Sequence, residues 1–277
     1  MRTVFIHISK TAGSSFRESL RTTSIAGSYS DGSVRSFARS VLSDDEWNHY
    51  VNGNRSEVKL VRVHFCHMDT TSPIIKDLNN IQKYKNDFRF FTLIRDPIKR
   101  IPSEFMFIKH GEKSHNLEYK EDYTGNTEWS KPKSWLVNRE LYHRKDENYI
   151  LQWQEIFDME IEDFISHPNV YNTQVKWLLG KKHLDDYQVT EDDYNKLIDT
   201  IEELDFKIGI TEQYKKSIRY WNALYNDTLD VDNIPRKRVG RFKIELTEDN
   251  ISLIQENNKY DIKLYNYALD KFNKLDI

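Results

Sequence analysis

The sequence has one cysteine, no long apolar run and almost no net charge, and each absence excludes a class of protein. Cys66 has no second cysteine to pair with, so no disulfide forms within the chain, which fits a reducing compartment. No stretch stays apolar over the about 20 residues that a membrane-spanning helix needs. The residues after Met1 are typical of a strand and not of a signal peptide, so we expect a cytoplasmic protein.

The charges of the side chains nearly cancel. The formal net charge is −3, from 41 basic and 44 acidic residues. So small a net charge creates no field that would gather nucleic acid or an anionic membrane. We therefore expect no nucleic-acid partner, and any anion that the protein binds must be held by a local site.

What the sequence does contain is the alternation of an α/β fold. Strand-like segments at 3–8, 58–65, 88–94 and 206–210 alternate with helical patterns, and the C-terminal half is mainly helical. This order predicts a central parallel sheet with helices on both faces. We predict a single domain over 1–277, with an excursion at about 111–147 where the periodicity fades.

The first candidate anion site follows the first predicted strand, where residues 9–15 read SKTAGSS. Gly13 and its small neighbours let backbone amides turn inward around a phosphate at the start of a helix. The order differs from the GxxxxGK[ST] of a Walker A loop, because Lys10 comes first. A lysine at this strand end can reach an oxygen on which negative charge accumulates during group transfer. The alternative is an ordinary turn between strand and helix.

The second candidate anion site lies in LIRDPIKRIPS at 93–103. Arg95 ends a buried strand, and Ser103 lies in the first turns of the helix that Pro97 begins. The planar guanidinium matches a phosphate, and the serine adds one hydroxyl donor. We expect the two to bind a second phosphate. The alternative is a local ion pair between Arg95 and Asp96 with a solvated Ser103.

The two segments FIHISKTAGSSF and FFTLIRDPIKRIPSEF resemble the 5′-phosphosulfate and 3′-phosphate binding segments of sulfotransferases that use 3′-phosphoadenosine 5′-phosphosulfate (PAPS). The chain is similar to the carbohydrate sulfotransferase family that includes heparan sulfate 2-O-sulfotransferases and bacterial relatives. VRVHFCH, YNTQVKWLLG, FKIGITEQYKKSIRYW and DIKLYNYALDKF agree in order, so the resemblance spans most of the chain. It implies a P-loop-like fold, PAPS as sulfuryl donor, adenosine 3′,5′-bisphosphate as product, and no metal.

The resemblance also implies, position by position, which residues bind the nucleotide. Arg95 and Ser103 would hold the 3′-phosphate, and a late basic run would close over the nucleotide unless it is a solvated turn. Lys176 stands where relatives often have arginine. The remaining implied residues are Lys10, Thr11, Ala12, Gly13, Ser14 and Ser15 for the 5′ group, Thr173, Gln174 and Lys176 near the nucleotide, and Arg236, Lys237 and Arg238 in the basic run.

Sulfuryl transfer needs a base for the acceptor hydroxyl, and a histidine with a pKa of ~6.5 suits this role. His64 ends the strand VKLVRVHF and matches the histidine that family members carry after the corresponding strand, although Val63 stands where glycine is usual. His67 is the alternative base. His7, inside the first strand, is expected to be a core residue. The acceptor expected from the resemblance is a glycan or glycolipid.

Two other functions remain open from the sequence. A P-loop kinase or NTPase would use Asp96 as a magnesium ligand, but the missing GK[ST] ending and the preceding arginine argue against it. A catalytically inactive nucleotide-binding protein would keep the fold without turnover. Within 111–147, the aromatic side chains either stack on sugar faces or form a small core under a long loop. They are Tyr119, Tyr123, Trp129 and Trp135.

Overall fold

A computed structural model describes ten parts of the chain. They are residues 2–13, 15–16, 19, 34–37, 60–64, 88–110, 158–181, 186–225, 229–233 and 244–277. For 34–37 and 60–64 it describes the backbone alone. The predicted excursion at 111–147 lies outside these residues, as do Ser14, His67, the side chain of His64 and the basic run at 235–241.

Five strands form one parallel sheet within the described residues. They are β1 Arg2–His7, β2 Val34–Phe37, β3 Leu60–His64, β4 Phe88–Ile94 and β5 Lys207–Ile210. Their order across the sheet is β2-β3-β1-β4-β5, and each neighbouring pair is parallel. A parallel strand with neighbours on both sides and helices on both faces is buried all round, which explains the almost continuously apolar FRFFTLI of β4. The predicted α/β class with a parallel sheet is confirmed.

Seven α-helices lie in the described residues. They are α1 Pro97–His110, α2 Ile161–Ser166, α3 Thr173–Leu178, α4 Glu191–Glu203, α5 Tyr214–Tyr225, α6 Glu248–Asn257 and α7 Lys259–Asn273. Six of them follow residue 160, in agreement with the mainly helical C-terminal half. None of the helices within the described ranges has the length and apolar character needed to cross a bilayer.

Helices cover both faces of the sheet. Successive side chains of a strand point to opposite faces, so the strands present apolar side chains to helices on each side. On one face Ile6 and Phe90 pack with apolar side chains of α3, α4 and α7. On the other face Phe5 and Phe91 pack with Trp221 of α5. The sheet therefore lies between two apolar clusters, and a third cluster joins α1, α2 and α6.

The strand order creates a crevice at the carboxyl ends of β1 and β4. From β1 the chain continues to β2 and β3 on one side, whereas from β4 it continues to β5 on the other side. Connections that leave two adjacent parallel strands in opposite directions open a crevice between them, and ligands of open α/β sheets bind there. The segments that leave the sheet at this point begin at Ile8 and Arg95, so both predicted anion segments border the crevice.

Candidate functional site

The loop after β1 has an unusual backbone. Lys10 and Ala12 have φ values of 62° and 65°, in the left-handed region that residues other than glycine rarely adopt. The hydroxyl of Thr11 donates to the carbonyl of Ile8 at 2.9 Å, and the amide of Phe16 donates to the carbonyl of Ala12 at 3.1 Å. A loop in which left-handed residues alternate with others can turn its amide groups to one side, which makes a concave site for an anion. Such backbone costs about 1–3 kcal/mol per residue and is found mainly at functional sites.

Gly13 is required by packing, not by its backbone dihedral. A Cβ at this position would lie 1.9 Å from Cδ2 and 2.1 Å from Nε2 of His7. The ring of His7 is 5% exposed and stacks on Phe5, with ring centroids 6.0 Å apart. The histidine is thus the core residue that the sequence predicted, and its ring supports the loop directly.

The two anion segments contact each other. Nη1 of Arg95, the first residue after β4, donates to the carbonyl of Lys10 at 3.2 Å. The ammonium of Lys10 lies over the ring of Phe107 in α1, 4.5 Å from the ring centroid. Basic groups of both segments therefore lie at one edge of the sheet, as the binding of two phosphate groups of one nucleotide requires.

Glu212 is a neighbour of Arg95 that the sequence did not identify. Its Oε1 lies 3.8 Å from Nε of Arg95, and its Oε2 accepts hydrogen bonds from the amide of Asp96 at 3.5 Å and the hydroxyl of Tyr265 at 3.3 Å. Burial lowers the pKa of Arg95, and the charge of Glu212 raises it. The guanidinium stays a cation. Glu212 follows β5, whose position beside β4 is a property of the folded sheet.

Asp96 caps α1 instead of pairing with Arg95. Its Oδ1 accepts a hydrogen bond from the amide of Ile98 at 3.0 Å, and its carbonyl accepts from the amide of Arg100 at 2.8 Å. Its Oδ2 lies 3.9 Å from Nζ of Lys99. The ion partner of Arg95 is Glu212, so the alternative of a local ion pair between Arg95 and Asp96 is wrong. In the part of the chain that the structure describes, no three His, Cys, Asp or Glu side chains are grouped to hold a metal.

Gln174 holds the backbone of Arg95 from both sides. Its Oε1 accepts from the amide of Arg95 at 2.9 Å, and its Nε2 donates to the carbonyl of Arg95 at 2.8 Å. The side chain is completely buried in the first turn of α3. The segment YNTQVKWLLG is therefore in direct contact with the second anion segment.

The other two predicted residues of this segment are also buried. The hydroxyl of Thr173 donates to the carbonyl of Val170 at 2.7 Å, and Nζ of Lys176 donates to the carbonyl of Pro168 at 3.2 Å. Each is 1% exposed. These contacts fix the turn that precedes α3, and a role of either residue in nucleotide binding stays a prediction.

The helices α3 and α7 cap each other's N-termini. Asp261 of α7 accepts from the amides of Gln174 and Val175 at 3.0 and 2.8 Å. In return, Oδ1 of Asn172 accepts from the amides of Tyr260 and Asp261 at 2.9 and 3.1 Å. The N-cap residues are Asn172 for α3 and Asn258 for α7, and neither uses its side chain to cap its own helix. Each helix therefore depends on the other to bind its first amide groups.

A buried charge cluster links α1 to this pair of helices. Arg100 is 0% exposed, and its Nη1 pairs with the carboxylate of Glu104 one turn later. Burial raises the pKa of Asp261, which is also fully buried, and the charge of Arg100 lowers it. Nε and Nη2 of Arg100 have no hydrogen-bond partner among the described residues. Buried charges of this kind are costly to separate, so the cluster fixes α1 relative to α7.

The backbone of His64 reaches the same edge of the sheet. It pairs in register with His7 at the carboxyl end of β1. Ser103 is partly exposed on α1, eight positions after Arg95. Ser14, His67 and 236–238 lie outside the described residues, and their roles remain predictions.

Similarity to known proteins agrees with this geometry. The sequence profile of the Sulfotransferase family matches residues 2–268, from β1 to within α7. Both anion segments and the capping residues of α3 and α7 fall inside the match. No curated protein matches the chain. The chain belongs to the sulfotransferase family, as the motifs after β1 and β4 predicted.

Proposed function

We propose that the protein transfers a sulfuryl group from PAPS to a hydroxyl group of a glycan or glycolipid. The observation that carries this proposal is the contact between the two anion segments, with Nη1 of Arg95 3.2 Å from the carbonyl of Lys10. PAPS carries phosphate on the 5′ and 3′ sides of one adenosine, so it needs two anion sites one nucleoside apart. The crevice between β1 and β4 supports such a pair of sites.

The 5′ side of the donor fits residues 10–15. Left-handed backbone at Lys10 and Ala12 favours convergent amides, and Gly13 lets the loop lie directly on His7. PAPS supplies a sulfuryl group whose departure leaves negative charge on the bridging oxygen. The amides of the loop hold the phosphate, and Lys10 exchanges its place over Phe107 for contact with that oxygen. Thr11, Ser14 and Ser15 complete this part of the proposed site.

The 3′-phosphate is proposed to bind Arg95 and Ser103. A phosphate dianion carries more charge than one carboxylate, so it competes with Glu212 for the guanidinium. Arg236, Lys237 and Arg238 are proposed to close over the bound nucleotide. The strand order supports a P-loop-like fold within one domain, and the excursion at 111–147 is proposed to contribute to the acceptor site.

His64 is proposed as the base, with His67 as its alternative. The register of β3 supports this role, because it brings the backbone of His64 to the carboxyl edge beside β1. A base there can take the proton of the acceptor hydroxyl as its oxygen attacks sulfur in line. Loss of turnover in His67→Ala with near-normal turnover in His64→Ala would move the role to His67.

The proposal is tested by thermal shift with three nucleotides: adenosine 3′,5′-bisphosphate, 5′-AMP, and ATP with magnesium. The bisphosphate at about 100 times its Kd should stabilise the protein by about 2.7 kcal/mol, which raises Tm by several degrees. ATP with magnesium should give the smaller shift. The opposite order would favour a phosphoryl transferase and contradict the proposal.

Two substitutions separate binding from chemistry. Arg95→Ala should abolish most of the bisphosphate shift. Lys215→Ala, which removes an exposed lysine of α5 that pairs with Asp232, should keep the shift. Lys10→Ala should lower sulfuryl transfer from PAPS, followed as release of the bisphosphate with a panel of acceptors, more than it weakens binding. Equal losses in binding and turnover would argue against the role of Lys10 at the departing oxygen.

A further inference from the structure

We propose that Gln174 is a positioning residue that determines recognition of the 3′-phosphate by fixing the backbone of Arg95. The inference rests on the proposed function, because it takes Arg95 as the ligand of that phosphate. Gln174 acts through Arg95 and not on the nucleotide. Its side-chain Oε1 accepts from the main-chain amide of Arg95 at 2.9 Å, and its Nε2 donates to the main-chain carbonyl of Arg95 at 2.8 Å.

The position of Arg95 explains why such a clamp is needed. The ladder between β4 and β5 ends at the pair Ile94 and Ile210, and the ladder between β4 and β1 ends at Thr92 and Ile6. Arg95 is therefore the first residue beyond the sheet, where the backbone loses its strand partners. Gln174 replaces a strand partner, because one amide side chain offers an acceptor and a donor at the spacing of a backbone peptide group.

Gln174 is itself held by the C-terminal helix. The main-chain amide of Gln174 donates to Oδ2 of Asp261 at 3.0 Å, and Oδ1 of Asp261 accepts from the main-chain amide of Val175. The side chain of Gln174 is 0% exposed, so it has no room to swing away from Arg95. A continuous series of hydrogen bonds thus runs from α7 through Gln174 to Arg95.

The direction of the Arg95 side chain depends on this backbone. A guanidinium lies at the end of a long flexible chain, so a small rotation of the peptide moves its donors by a larger distance. Bidentate contact with phosphate tolerates little displacement. Neither hydrogen bond of the clamp involves residues 10–15, although Arg95 also donates to the carbonyl of Lys10. Loss of the clamp should therefore weaken binding of the 3′-phosphate more than binding of the 5′ group.

The test is the ratio of two dissociation constants, that of 5′-AMP over that of adenosine 3′,5′-bisphosphate, measured by isothermal titration calorimetry. In the wild type this ratio gives the contribution of the 3′-phosphate. Gln174→Met keeps the length of the side chain and removes both hydrogen bonds. We expect the Kd of the bisphosphate to rise about 10-fold while that of 5′-AMP changes little, so the ratio falls about 10-fold.

A matched control exists on the other side of the sheet. Asn222 of α5 clamps Leu229 in the same way, with its Nδ2 2.9 Å from the carbonyl and its Oδ1 3.0 Å from the amide. Asn222→Leu removes the same number of hydrogen bonds between an amide side chain and the backbone. It should leave the ratio at the wild-type value, because Leu229 has no place in either anion segment.

The outcomes separate the inference from the function on which it rests. A wild-type ratio near one would overturn the proposed function and the inference with it. Two results would overturn only the inference. One is a high wild-type ratio that persists in folded Gln174→Met, and the other is a similar loss of affinity for both nucleotides. If Gln174→Met fails to fold, Gln174→Asn serves the same test, because it keeps the amide but is one methylene too short to reach both groups of Arg95.

Discussion

The contact between Gly13 and His7 predicts a large effect of adding one methyl group. In Gly13→Ala the new Cβ would lie 1.9 Å from Cδ2 of His7, whereas carbon atoms normally approach to about 3.5–4 Å. The ring has no free volume to enter, because it is 5% exposed and stacked on Phe5, which itself packs on Phe16 with centroids 4.6 Å apart. Overpacking of this kind costs about 1–3 kcal/mol. At about 2–4 °C per kcal/mol, Tm should fall by roughly 2–12 °C, as measured by circular dichroism.

A double-mutant cycle identifies the cause of this loss. His7→Ser removes the ring, so Gly13→Ala in that background should cost much less, with a coupling free energy of about 1–2 kcal/mol. Gly180→Ala is the control, because Gly180 has φ 72° and its substitution is costly through the backbone itself. His7→Ser should not relieve that cost. Wild-type Tm in Gly13→Ala, or the same loss with and without the His7 ring, would refute the packing argument.

Three more substitutions or conditions test the stability of the frame around the site. Burial raises the pKa of Tyr220 to about 12, whereas tyrosine in the unfolded chain titrates near pH 10. The urea midpoint should therefore fall as pH rises from 10 through 12, while phenolate absorbance increases. A midpoint constant over that interval would contradict the burial. Thr190→Ala removes the capping box with Asp193 and should lower the free energy of unfolding by about 1 kcal/mol in urea titration. Glu104→Ala leaves the charge of Arg100 buried without its partner. It should lower the free energy of unfolding by about 3–5 kcal/mol in the same assay, more than removal of a charge from an exposed ion pair would.

The parts of the fold that the sequence predicted well are those with a strong local signal. The apolar run FRFFTLI gave a strand at 88–94, and β4 has these bounds, because a strand buried on both faces carries its own pattern. β2 Val34–Phe37 was not predicted, since VRSF is short, half polar and lies at the edge of the sheet. The capping box of Thr190 and Asp193 also has a local signal, because its two partners are three residues apart in the sequence.

The parts of the site that the sequence did not reveal depend on distant contacts. Gln174 and Arg95 are 79 positions apart, and no local pattern marks the clamp between them. Glu212 reaches Arg95 only because β5 lies beside β4. The hydroxyl of Thr211 donates to the carbonyl of Thr11 at 3.1 Å, a contact over 200 positions that forms because the end of β5 faces the loop after β1. The motifs indicated the family, whereas these supporting contacts depend on how the strands pair in the folded sheet.

The mutual capping of α3 and α7 sets an order of assembly during translation. The main-chain amide of Gln174 donates to the carboxylate of Asp261, which lies 87 positions later in the chain. A helix of six residues is too short to persist alone, so α3 stays unformed while the ribosome adds the intervening segments. The hydrogen bonds from Asp261 through Gln174 to the backbone of Arg95 are therefore complete only after residue 261 has left the ribosome. A nascent chain stalled before that point would carry the sequences that follow β1 and β4 but would lack the contacts that hold the backbone of Arg95.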